Sequence, residues 1–287
     1  MRFLLPLLLA LGLTAQAASD HIVVALKPDK DPEKMLSERK VLADFLSKQL
    51  GRPVEVIVPL SSAVIIEGLA NGTIDLGYLS ATDLLNARKA KAASLLLAGE
   101  IDGKTSYTSY WVTLKDKPYK SIEDLKGRPV AFASRTSTSG FLIPMRDLDK
   151  RGLLPGNHDP EGFFGQGNVQ FGTGYVSAIE RVFSGEAEAA AVSYYVLDKD
   201  KHLTAEQRDK LRVLQSQGPV PTHVIAVAAA LPPDQQAALK TALLALNEPA
   251  HTTLRDQLFT SKLVETDEAA HVTPVEEALQ VIGVTTP

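Results

Sequence analysis

Short apolar, β-branched runs alternate with longer stretches of helical periodicity along nearly the whole chain. Residues 21–26, HIVVAL, form the first run and stop before Lys27-Pro28, as a buried strand does. Asp31 followed by Pro32 predicts a helix start, with a carboxylate N-cap and proline at the first helical position. Met35, Leu42, Phe45, Leu46 and Leu50 then lie along one stripe, Glu38, Arg39 and Lys48 lie largely off it, and Gly51 predicts the stop. A strand at 54–58, a helix at 63–70 ended by Asn71-Gly72 and a strand at 74–79 repeat the pattern.

The middle of the chain keeps this order. Strands are predicted at 110–114, 129–133, 169–171 and 189–192. Ser121 to Asp124 resembles a capping box with an acid at its last position, closed by Lys126-Gly127. A helix carries Phe141, Leu142, Met145 and Leu148 on one face and ends at Gly152. Residues 152–168 are rich in Gly and Pro and read as an irregular loop. Val176, Ile179, Val182 and Phe183 mark another amphipathic helix, stopped by Gly185. Strands follow at 211–214 and 223–228. A helix started by Pro232-Pro233 presents Leu239, Ala242, Leu243 and Leu246, and short helices are predicted around 254–259 and 276–281. Alternating strands and helices, with no internal repeat, predict an α/β fold with largely parallel sheets.

A length of 287 residues is near the upper limit for one hydrophobic core, so two lobes are expected. At 45% apolar and 22% charged the composition is that of a globular chain. The absence of cysteine excludes disulfides, thiolate metal sites, a cysteine nucleophile and a lipidated N-terminal cysteine. A formal net charge of −4 gives no support for nucleic-acid binding. Residues 3–13 form an apolar run behind Arg2, and Ala15-Gln16-Ala17 offers a cleavage site. A signal peptide of residues 1–17 is therefore expected. Its removal also removes Arg2, taking the charge from −4 to −5, and leaves a chain expected to be soluble and exported.

The segment with most chemical content is Val130 to Gly140, VAFASRTSTSG. An apolar strand runs into a polar turn, and Thr136, Ser137, Thr138 and Ser139 bring four consecutive hydroxyls to the start of a helix. The free amides of a helix's first turn favour an anion, and the hydroxyls add donors at the same point. The same run also suits a plain N-cap in a Ser/Thr-rich loop, so both readings stay open here. Sequence motifs of serine hydrolases, zinc proteases and P-loop nucleotidases are absent. His21, His158, His202, His223, His251 and His271 are scattered, without metal-ligand spacing. No enzyme, metal or cofactor is expected. The basic stretch 88–91 reads as a solvated helix end.

The chain resembles the phosphate/phosphite/phosphonate family of periplasmic substrate-binding proteins of ABC transporters. The resemblance is carried by Leu26-Lys27-Pro28-Asp29 through Lys34-Met35, by LSKQLG at 46–51 and by EGLANGTIDL at 67–76. It continues through SIEDLKGRPVAFASRTSTSG at 121–140, with its S-T-S-G element, and through 172–192. It implies a type II binding-protein fold of two α/β lobes, each a mixed, mainly parallel sheet flanked by helices, with a ligand cleft between them. Carried over, lobe one is residues 18–112 with 220–287 and lobe two is 113–219, with hinge crossings near 110–115 and 215–221.

The resemblance also implies a pocket. Ser137, Thr138 and Ser139 match the family's anion-binding triplet, with Ser134 at the head of the same turn, and Tyr78 matches an aromatic pocket position. Ser62 stands where many members have tyrosine, Tyr175 where many have an anion-contacting histidine, and Ser193 where many have an acid. Interlobe packing is the other reading of Tyr78 and Tyr175. Without the acid, a ligand ammonium loses its natural partner, so an aminoalkylphosphonate is disfavoured. The expected role is capture of a small oxyanion and delivery to an inner-membrane ABC permease by a monomer free in the periplasm. Presentation of the oxyanion to a sensor histidine kinase is the alternative.

Overall fold

The computed structural model describes residues 21–27, 32–199, 202–259 and 262–283. The signal peptide expected at 1–17, the Asp31 cap and the turn at 28–31 lie outside them. The elements run β1 (Ile22–Ala25), α1 (Pro32–Leu50), β2 (Val54–Ile57), α2 (Ser62–Asn71), β3 (Leu76–Leu79), α3 (Ala81–Lys89) and β4 (Ala93–Glu100). Next come β5 (Ser106–Leu114), β6 (Val130–Phe132), α4 (Ile143–Lys150), α5 (Glu161–Phe164), β7 (Val169–Phe171), α6 (Tyr175–Ser184) and β8 (Ala189–Ser193). The chain closes with α7 (Tyr195–Asp198), α8 (Ala205–Asp209), β9 (Leu211–Pro221), β10 (Val224–Ala228), α9 (Pro233–Leu244), α10 (Thr252–Phe259), β11 (Lys262–Val264) and α11 (Glu268–Val281).

Two mixed sheets result, ordered β11-β4-β10-β3-β1-β2 and β7-β6-β8-β5-β9. Strands linked by β-α-β crossovers pair in parallel: β2-β1-β3 in the first sheet and β7-β6-β8 in the second. Strands next to the crossings between sheets, β5, β9 and β10, pair antiparallel. The chain leaves the first sheet after Glu100, enters the second at Ser106, and returns between Pro221 and Val224. The boundary expected at 112/113 therefore falls inside β5, which pairs with β9 from Ser106 to Leu114.

The two crossings run side by side. The Thr222 amide donates to Thr105 O at 3.1 Å, and the Thr222 hydroxyl to Gly99 O at 2.7 Å. His271 of α11 is buried against this junction, with Nε2 3.1 Å from Thr222 O.

Strand alternation places residues on opposite faces. In β10, Val224, Ala226 and Ala228 face one core cluster and Ile225 and Val227 face another, under α1 and α9. In β8, Ala189 and Ala191 face Trp111, whereas Ala190 and Val192 pack under α6. The central cluster continues from Ile65 and Leu84 beside the first sheet, through Val272 and Val275 of α11, to Trp111 and Phe132 in the second and Phe141 in the helical turn after β6. Thus α11 packs on α3 and also on α4 and β9, so the last helix of the segment 220–287 touches both layers.

Several expected elements are longer or newly seen. The helix expected at 276–281 starts at Glu268, with Asp267 as its N-cap. The loop 152–168 contains α5, which buries Phe163 and Phe164. Arg88 is not a solvated helix end: it pairs with Glu268 at 2.9 Å and Glu276 at 3.8 Å on α11.

Candidate functional site

The turn after β6 is built by its own hydroxyls. The Ser137 amide donates to Ser134 O at 3.0 Å, and Ser137 Oγ accepts from the Gly140 amide at 3.0 Å. Ser134 thus shapes the turn through its carbonyl, with its Oγ 3.3 Å from Thr136 Oγ1. A wide π-type helical turn, Thr138–Leu142, leads into α4. Amides in such a first turn have no preceding helical carbonyl to bond. Gly140 is required here by close approach, because a Cβ would lie 2.5 Å from Ala133 Cβ and 3.0 Å from the Tyr175 ring.

Thr138 and Ser139 are buried at the junction of the sheets. Thr138 Oγ1 lies 2.7 Å from Thr82 Oγ1, on α3 of the first sheet. Ser139 Oγ lies 2.6 Å from the hydroxyl of Tyr175, the first residue of α6. Ser109 Oγ donates to Ser139 O at 2.5 Å and in turn accepts from Gln217 Nε2 at 2.9 Å, fixing the turn to β5 and β9.

Ser193 ends β8 opposite Ser109 and is fully buried. Its Oγ has no hydrogen bond of good geometry. The Tyr107 hydroxyl lies toward both Ser193 and Ser139. Although the edge of Tyr107 is partly exposed, burial of its hydroxyl drives the pKa well above the ordinary phenol value, and nearby Tyr175 adds to the rise. Burial does the same to Tyr195, whose ring packs edge-on to Tyr175 with centroids 5.6 Å apart. Both phenols stay neutral donors at ordinary pH.

The first-sheet residues are placed differently. The Tyr78 hydroxyl donates to Phe259 O at 3.2 Å and its ring stacks on His223, so it takes part in packing within the first sheet's layer. Ser62 opens α2 and its side chain reaches Asp83. Asp83 also binds Lys27 Nζ at 2.8 Å and Ser80 Oγ at 2.7 Å. Burial would raise the Asp83 pKa, but the Lys27 charge and the bonds from Lys27, Ser80 and Ser62 hold it below its ordinary value.

The structure thus brings Ser137, Thr138, Ser139, Tyr175 and Ser193 together, with Ser134 shaping the turn and Tyr78 and Ser62 on the first-sheet side. Sequence reasoning missed Tyr107, Ser109 and Thr82. Strand geometry places Tyr107 and Ser109 on one face of β5 once the strand is known to begin at Ser106, but 106–109 carries no apolar/polar alternation that would have signalled it. A cluster of neutral hydroxyls around a helical first turn can donate several hydrogen bonds to an oxyanion. Among the described residues, no group of three or more His, Asp or Glu side chains is placed to hold a metal ion. No described helix is long and apolar enough to cross a membrane.

Residues 24–271 match the family model described as ABC transporter, phosphonate, periplasmic substrate-binding protein. The chain belongs to this family. Members of the phosphonate-binding family are substrate-binding transport proteins rather than enzymes. The phosphate-import protein PhnD of Mycolicibacterium smegmatis is 24% identical over 191 residues, which cover 65% of this chain. That match spans 59% of the relative's own length. Among solved structures, XAC2383 from Xanthomonas citri bound to chloride superposes with a TM-score of 0.77 at 20% identity, covering 93% of this chain and all of that one. PhnD1 from Prochlorococcus marinus in complex with methylphosphonate gives 0.76 at 19% identity, covering 93% and 99%. These likenesses show the fold, a two-lobe type II binding protein with helix-flanked sheets.

Proposed function

We propose that the protein is the periplasmic solute-binding component of an ABC transporter, which closes its cleft on a small tetrahedral oxyanion and delivers it to the permease. Phosphonate, phosphite and phosphate are the ligand class. The observation that carries this reading is the convergence of Ser137, Thr138 and Ser139 with Tyr175 and Tyr107 at one helical first turn. The lobes would be the two sheets, hinged where 101–105 runs beside 222–223, with α11 touching both. Export by removal of residues 1–17 and a monomeric form belong to the same proposal.

Ligand oxygens would accept from the Ser137, Thr138 and Ser139 hydroxyls and first-turn amides. Tyr175 and Tyr107, in the same second-sheet layer, would add donors beside them. Ser193 offers no carboxylate for a ligand ammonium, which favours unsubstituted or alkyl-substituted anions over aminoalkylphosphonates. Calorimetric titration with phosphate, phosphite, methylphosphonate, aminoethylphosphonate and arsenite tests the proposal. Micromolar or tighter binding of one of the first three, with aminoethylphosphonate weaker, is expected. A folded protein that binds none of them would overturn it.

A further inference from the structure

Thr82, in the first sheet's layer, directly meets the hydroxyl triplet. It lies in the first turn of α3, behind the Ser80 cap, and its Oγ1 is 2.7 Å from Thr138 Oγ1. The two residues are only 4% and 7% exposed. Water therefore has little access to the pair.

A pair of hydroxyls shares one proton in one sense or the other. When Thr82 donates, Thr138 accepts and keeps its own O–H free for a ligand. When Thr138 donates, it turns lone pairs toward the site, and an anion is repelled. An anion at the triplet therefore selects the chain Thr82 to Thr138 to ligand oxygen, in which each bond polarises the next. Thr82 and Thr138 are attached to different sheets, so the chain exists only while the sheets are held as they are here.

We infer that Thr82 is a positioning residue, which aims the Thr138 donor and couples lobe closure to anion binding. This rests on the oxyanion reading of the site. It adds a contribution from α3 and a directional requirement that the triplet alone does not impose.

The test uses Thr82→Val, which keeps the branched shape without the hydroxyl, Thr82→Ser, which keeps the hydroxyl, Thr138→Val, and the double valine variant. Each full-length protein is titrated with phosphate and methylphosphonate, and the dissociation rate is followed by stopped flow. Thr82→Val should weaken binding roughly tenfold, mostly through faster dissociation, with Thr82→Ser close to the wild type. The double variant should bind no more weakly than Thr138→Val, because Thr82 acts through that residue. Additive losses, equal losses in the serine and valine variants, or wild-type affinity in Thr82→Val would overturn the inference while leaving the oxyanion reading in place. A wild type that binds neither these two anions nor phosphite overturns both.

Discussion

The hydroxyl of Ser139 sits 2.6 Å from the hydroxyl of Tyr175, tying the turn after β6 to the start of α6. These are the two helix starts on the second sheet's side of the site. In this contact one hydroxyl donates to the other, so a phenol takes the place where the resemblance implies an imidazole.

Removing either hydroxyl should weaken oxyanion binding. Tyr175→Phe and Ser139→Ala each delete one donor near a buried anion, at a cost of about 1–3 kcal/mol in affinity. Because each residue is the other's partner, the double variant should lose less than the two single losses combined. Calorimetry on the four proteins checks this, and unchanged affinity in both single variants would remove these residues from the site.

Ser193 offers a route to altered specificity. Its Oγ is fully buried without a well-formed hydrogen bond, close to the Tyr107 hydroxyl. Ser193→Asp should raise the affinity for aminoethylphosphonate relative to methylphosphonate, because a carboxylate can accept from the ligand ammonium. It should also lower the melting temperature of the ligand-free protein, since a buried charge without a partner is costly. A thermal-shift series with both ligands measures both effects. An unaltered ligand preference in a folded variant would show that position 193 does not face the substituent.

The turn at 134–139 was legible in the sequence because it is local: strand, hydroxyl run and helix lie within about a dozen residues, and capping rules act over that range. The alternation of β- and α-elements was legible for the same reason. Tyr107 was not, because β5 begins in the mixed polar stretch Ser106-Tyr107-Thr108-Ser109 and only its apolar end advertises a strand. Thr82 meets Thr138 across 56 positions of chain, and no local pattern encodes that approach. Of α11 only the end at 276–281 was legible; that the helix begins at Glu268 and lies between α3 and α4 depends on contacts distant in sequence.

His271 should make stability depend on pH. Burial holds its pKa below the ordinary value of 6.5, only partly offset by the bond to Thr222 O and the nearby Glu268 charge. The unfolded chain therefore takes up a proton more readily than the folded one near and below pH 6.5. The stabilising contribution is complete above that pH and is lost as pH falls through it toward the lower folded-state value. Melting temperatures of the wild type and His271→Gln between pH 5 and 8, about the histidine range, provide the check. The wild type should lose more than the variant on acidification, and parallel profiles would assign the pH dependence elsewhere.

If the cleft closes on its ligand as proposed, the ion pairs of α11 should bear on how easily it opens. Glu277 takes Arg146 at 2.5 Å and Lys150 at 3.1 Å on the second sheet's side, while Glu268 and Glu276 take Arg88 of α3 on the other. In the proposed opening, separating α3 from α4 would strip α11 from one of them, so these pairs are expected to oppose it. Arg146 and Lys150 hold the Glu277 carboxyl below the ordinary glutamate value. Glu277 is 42% exposed, so its pairs are screened and should contribute less than about 1 kcal/mol. Glu277→Gln should therefore weaken oxyanion binding by a few-fold at low ionic strength, with faster ligand dissociation. The difference should shrink at about 0.5 M salt, where the screening length is only a few ångströms. Titrations of both proteins at low and high salt decide it: equal affinities at low salt would show that α11 moves with one lobe and carries no share of closure.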